Sequence, residues 1–142
     1  DLRDKDESTP YEFKIDTLNE EEGDVKMTFK VFTTNGDTGE ASFTLKVDNG
    51  LSKGAAFHVD AGNGFLGEGK LDDAVQSGRI ALKADPNSVG ARILLARTFF
   101  SQRQFDKAQK FAEDALGIDK ENLDALAVLS SVKVQQAFTV VN

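Results

Sequence analysis

Cysteine is absent from all 142 residues. With it go disulfides, thiolate chemistry, zinc fingers and iron–sulfur sites. The redox compartment stays open, because a chain without Cys suits either one. No stretch approaches the ~20 consecutive apolar residues that a membrane span needs. Bases are outnumbered, 17 Lys and Arg against 24 Asp and Glu, which leaves a net charge of -7. That balance opposes a nucleic-acid partner, since neutralising phosphates takes clustered cations, and it opposes docking on anionic lipid. There is no initiator Met, and Asp1-Leu2-Arg3-Asp4-Lys5-Asp6-Glu7-Ser8-Thr9-Pro10 is too polar for the apolar core of a signal peptide. The expectation is a chain either processed or cut from something longer.

What is present is enough for a core: 39% of residues are hydrophobic, and the length suits about one domain or a domain with a small appendage. The period of the apolar residues changes near Gly50 to Gly54. Before it, they alternate with period two. Tyr11, Phe13 and Ile15 oppose Glu12, Lys14 and Asp16. Val25, Met27, Phe29 and Val31 oppose Lys26, Thr28 and Lys30. Ala41, Phe43, Leu45 and Val47 oppose Ser42, Thr44, Lys46 and Asp48. Alternation of this kind predicts antiparallel strands with one wet and one dry face. Asn35-Gly36-Asp37-Thr38-Gly39 supplies turn chemistry between the last two, and 19–24 reads as a charged loop. The expected fold class is therefore α+β: a polar segment at 1–10, a three-stranded antiparallel β-meander at 11–50, a helical array at 51–137 and a strand-like tail at 138–142. The charge divides likewise, with -6 on residues 1–54 and -1 on residues 55–142.

The helical half repeats itself in register. Phe65 aligns with Phe99, Leu71 with Phe105, Ala74 with Ala108, Ala81 with Ala115, Leu82 with Leu116 and Asp85 with Asp119. The copies are 55–88 and 89–122, and a third begins at Leu123. Small residues at Gly62, Ala74, Ala96, Ala108 and Ala115 allow close helix approach. Asp85-Pro86-Asn87-Ser88 is a helix stop followed by an N-cap, and Asn122 is set to cap in the same way. Helices are expected near 52–67, 71–84, 88–102, 105–117 and 122–137. Over 55–137 this pattern resembles the tetratricopeptide repeat, a helix–turn–helix unit whose length matches the spacing of these copies. It departs from that family at His58 and Arg92, where a large aromatic is usual, and at Lys120, where Pro is usual.

The resemblance implies that the concave groove is the ligand surface. By register it would be lined by Val59, Asn63, Leu66, Ile93, Arg97, Phe100, Ala127, Ser131 and Val134. Family members that clamp a C-terminal carboxylate use several Lys, Asn and Arg residues in this groove. Here only Asn63 and Arg97 are polar candidates, and Asp124 sits where a base would be wanted, so that clamp is not expected.

Other chemistry finds little footing. His58, the only His, reads as a packing residue; the rival reading is a base or a metal ligand. The loop from Asp60 to Leu71 lacks the oxygen ligands of a calcium loop, with Gly62, Gly64 and Leu71 at ligand positions. Gly64 to Leu71 misses the phosphate-loop hydroxyl. Glu20, Glu21, Glu22 and Asp24 read as a solvated acidic loop, with weak calcium binding as the lesser reading. No catalytic residue, metal or cofactor is expected.

Two surfaces look unfinished. Three strands with one dry face cannot enclose a core alone. The last helix is apolar around most of its circumference, whereas a terminal repeat helix needs a polar face. Phe138-Thr139-Val140-Val141-Asn142 reads as a strand, set either to pair with another copy or to fold back as a fourth strand. The function expected is a non-catalytic assembly module that joins copies of itself into an oligomer or filament, with Leu126, Leu129, Phe138, Val140 and Val141 at the contact. The first alternative is an adaptor that binds a peptide or helix of another protein in the groove, and the second is a hydrolase using His58. Thr-, Asn- and Asp-rich strands, absent Cys and the absent initiator Met fit an exported protein of the periplasm, cell surface or extracellular space, with the cytoplasm as the alternative.

Overall fold

Period-two alternation becomes a β-hairpin. Strand β1 (Gly23–Phe32) pairs antiparallel with β2 (Thr38–Val47), in a computed structural model that describes residues 12–141. The register sets Val25 opposite Leu45, Met27 opposite Phe43 and Phe29 opposite Ala41, so the expected apolar sets do share a face. On the other face Thr28 and Ser42 share a hydrogen bond of 2.9 Å, and Lys30 lies 3.7 Å from Glu40.

The third strand of the expected meander is not formed. Residues 12–16 adopt no strand, and Tyr11 lies outside the described residues. The reason is local. The Asp16 carboxylate accepts from the Leu18 N–H at 3.2 Å and starts a 3-10 turn, Thr17–Asn19. Asn49 holds that turn through the Thr17 hydroxyl at 2.9 Å and the Thr17 carbonyl at 3.2 Å. The extended run ends before a ladder can grow. Phe13 still reaches the apolar face, its ring 5.2 Å from Phe29, which stacks on Phe43 at 5.4 Å, but that face is not dry, since Phe43 is 44% exposed. Among the described residues the sheet is a two-stranded hairpin, within the expected α+β class. The loop expected at 19–24 is shorter than that, since β1 begins at Gly23.

The described residues divide into two compact units between Asn49 and Gly50. The second opens on a 3-10 turn (Leu51–Lys53) and contains α1 (Gly54–Gly67), α2 (Leu71–Ala84), α3 (Val89–Ser101), α4 (Phe105–Ile118) and α5 (Leu123–Val141). Helices α1 and α2 form one hairpin and α3 and α4 the next, with α5 against α4 and α3. Repeated sequence gives repeated caps. Ser88 Oγ accepts from the Ala91 N–H at 3.2 Å, and Asn122 Oδ1 accepts from the Ala125 N–H at 3.1 Å. Before them, Asp85 and Asp119 each turn the chain by accepting from the N–H two residues on, at 2.9 and 3.4 Å.

The two helix hairpins turn in the same way. Lys70 N–H donates to the Phe65 carbonyl and Gly69 N–H to that of Leu66; Gln104 N–H donates to Phe99 and Arg103 N–H to Phe100. This is the Schellman arrangement, whose closing residue takes a left-handed conformation. Gly69 supplies it at φ 75°, and Arg103 takes the equivalent place at φ 60°.

The core between the helices is built of small residues. Ala74, Ala81, Ala96, Ala108, Ala112, Ala115 and Ala125 are fully buried, around Leu94, Leu95 and Val132. Among the glycines the closest fit is at Gly62, where an added Cβ would fall 2.3 Å from Leu94 Cδ2 and 3.0 Å from Ser77 Cβ.

The two departures at the aromatic position serve equivalent ends. His58, buried, donates from Nε2 to the Gly50 carbonyl at 2.7 Å. Arg92, at the equivalent position of the next repeat, donates to the carbonyls of Pro86 at 2.6 Å and Ser88 at 3.1 Å. Each polar side chain ties its helix to the segment that precedes it, where an aromatic would only pack.

The strand expected at 138–142 is helix instead. α5 continues to Val141, and Asn142 lies outside the described residues. Thr139 Oγ1 donates to the carbonyls of Gln135 at 3.0 Å and Gln136 at 2.9 Å, and Gln136 donates to Gln109 of α4 at 3.2 Å. With no Gly or Pro to stop it, each added residue gains a helical hydrogen bond, and this outweighs the β preference of Phe138, Thr139 and Val140. Among the described residues no helix is long and apolar enough to cross a membrane.

Candidate partner-binding groove

The first helices of successive hairpins, α1, α3 and α5, each send side chains to one cavity of about 540 Å³. Its lining is Asn63, Leu66 and Gly67 from α1, Arg97, Phe100 and Ser101 from α3, and Ala127, Val128 and Ser131 from α5. Asn63, Arg97 and Ser131 stand one full repeat apart in sequence. They are the same repeat position seen three times, so the period itself brings them to one surface.

Six of the nine residues expected in the groove are in this lining: Asn63, Leu66, Arg97, Phe100, Ala127 and Ser131. The other three are elsewhere. Ile93 is buried in a cluster with Ala115 and Ala125. It is lost to the groove because α3 is an interior helix, in contact with α1, α2, α4 and α5. Val59 is half-buried, beside Gly90. Val134 is 51% exposed and outside the cavity. Gly67, Ser101 and Val128 were missed. The first two lie one helical turn beyond Asn63 and Arg97, so the i, i+4 rule would have found them.

Arg97 is the charged member of the lining. It is exposed, and among the described residues no carboxylate forms an ion pair with its guanidinium. Asn63, Ser101 and Ser131 add neutral polar groups, while Leu66, Phe100, Ala127 and Val128 supply apolar area. The lining can bury apolar side chains, satisfy a peptide backbone and hold one negative charge.

The remaining candidates lie apart from it. The His58 ring nitrogen is committed to a backbone carbonyl. Glu22 of the acidic loop accepts from the Asn49 N–H at 2.9 Å. Lys70, in the α1–α2 turn, is 2.7 Å from Glu68, and that hydrogen bond first, then its charge, raises the ammonium above the ordinary lysine range. Among the described residues no group of His, Cys, Asp and Glu is arranged to hold a metal ion. Of the expected assembly residues, Leu129 is turned inward onto the α3–α4 core. Leu126, Phe138 and Val140 are exposed, and Val141 is the last residue of the helix.

The tetratricopeptide repeat family model matches residues 65–132, which takes in α2, α3 and α4 whole with parts of α1 and α5. No curated protein gives a significant match. Two hairpins in one repeat register, equivalent caps and turns in each, and that match establish residues 65–132 as a tetratricopeptide-repeat segment.

Proposed function

We propose that this chain is a non-catalytic interaction module that takes a peptide or helix of another protein in the α1–α3–α5 groove. The observation that carries this reading is the convergence of repeat-equivalent residues on one cavity of about 540 Å³. That size and its mixed lining match what binding clefts need. Ala127 gives the test. It is exposed on α5, so Ala127→Arg should change stability by no more than about 0.5 kcal/mol while filling the cavity. Twelve-residue peptides selected from a phage-displayed library on the unaltered chain should bind Ala127→Arg at least tenfold more weakly. Unchanged affinity would place binding elsewhere and overturn the reading.

A second reading, self-association, is favoured by the exposed apolar residues of α5. Leu123, Leu126, Val134 and Phe138 are 79%, 41%, 51% and 65% exposed and fall along one side of the helix, opposite the buried Ala125, Val128 and Val132. Two copies would join through these faces as helices, with no strand exchange by the tail. Light scattering over a concentration series should then show mass rising with concentration, and Leu126→Lys with Phe138→Lys should return it to one chain. A single-chain mass at every concentration removes this reading.

A further inference from the structure

Resting on the groove reading, we infer that the partner segment presents a single carboxylate side chain between apolar residues, within an internal stretch of its chain, and that the carboxylate seats on Arg97. Arg97 is the charged residue of the cavity lining, and no described acid forms an ion pair with it. A guanidinium presents a planar fork that matches one carboxylate with two parallel hydrogen bonds. Leu66 and Phe100 share the lining with it, and they favour apolar neighbours for that acid.

A strongly acidic segment fits poorly. One cation matches one anion, and the lining holds no second cation for a further acid. A basic segment would set like charge against Arg97. A chain end also fits poorly, because the lining continues from Arg97 towards Asn63 on α1 and Ser131 on α5. A terminal carboxylate at Arg97 would leave one of those sides empty, whereas an internal residue lets the segment run on both ways.

The test uses the same library on the full chain, with peptides fused at their C-terminal ends so that none has a free carboxyl terminus. Selected binders should carry one Asp or Glu with apolar residues within three or four positions. As synthetic peptides, the best should lose about tenfold in affinity when that acid becomes the amide. The same change should cost nothing against Arg97→Gln, and Arg97→Glu should shift selection towards Lys or Arg. Both variants alter an exposed residue, and circular dichroism checks that they fold. Binders that Ala127→Arg abolishes, but that show no acidic preference and ignore Arg97→Gln, overturn this inference and leave the groove reading standing. Binders indifferent to Ala127→Arg, or no binders at all, overturn both.

Discussion

Leu94→Ala will lower the unfolding free energy by about 3 kcal/mol, and in its background Gly62→Ala will change from destabilising to stabilising. Leu94 is 1% exposed and lies against Gly62, where an added Cβ would meet Leu94 of α3 and Ser77 of α2. Truncating a fully buried Leu removes its transfer free energy and leaves a cavity that the neighbouring helices cannot fully close. Gly62→Ala alone has two opposing effects. Alanine is the better helix former by about 1 kcal/mol. Its Cβ, however, would fall 2.3 Å from Leu94 Cδ2, so Leu94, 1% exposed, must shift within the core to admit it. Overpacking of this kind costs about 1–3 kcal/mol, so the single change should be a net loss of about 1 kcal/mol. Once Leu94 is Ala the obstruction is gone, the methyl fills part of the cavity, and the helix preference shows as a gain of about 1 kcal/mol. The two sites should therefore couple by about 2 kcal/mol, measurable by urea unfolding of the four proteins of the cycle. Additivity to within about 0.5 kcal/mol would mean that Leu94 yields freely and that no obstruction exists.

The same contact shows what the sequence makes legible. A fixed repeat period is a geometric statement, so it carries α1 to α5, the Ser88 and Asn122 caps and six groove positions into view together. The hairpin register is legible for a similar reason: alternation fixes which side chains share a face, and pairing Val25 with Leu45 satisfies both strands. What escaped depended on competition that a pattern does not record. Phe13 and Ile15 alternate as a strand would, but the Asp16 turn ends the run first. Phe138 and Val140 prefer strands, but they continue a helix already stabilised by the burial of Ala125, Val128 and Val132. Arg103 sits in a left-handed turn that only its alignment with Gly69 could have disclosed. Ile93 keeps groove register with Val59 and Ala127, yet it is buried in a cluster with Ala115 of α4 and Ala125 of α5.

Val132→Asp will detach α5 and with it one wall of the groove. Val132 is fully buried in a cluster with Ala96, Ala108, Ala112 and Val128, with Phe99, Phe100 and Phe111 around it. None of those side chains can pair a carboxylate, so seating one there would cost about 3–5 kcal/mol. Two outcomes are open to the chain: global unfolding, or release of the element that carries the charge. Release is the cheaper, because α5 ends the array and packs chiefly on α3 and α4, whereas α1 to α4 hold one another. Hydrogen exchange should show protection lost across Leu123–Val141 and kept in α2 and α3, and the far-UV helical signal should fall by the share of those 19 residues. Val134→Asp places the same charge two residues on at an exposed position, and should leave protection in place. Ala127 and Ser131 leave with α5, so peptides held by the groove should be lost with Val132→Asp and retained with Val134→Asp. Uniform loss of protection across α1 to α5 would show instead that the five helices unfold as one unit, and that the groove has no wall that can open independently.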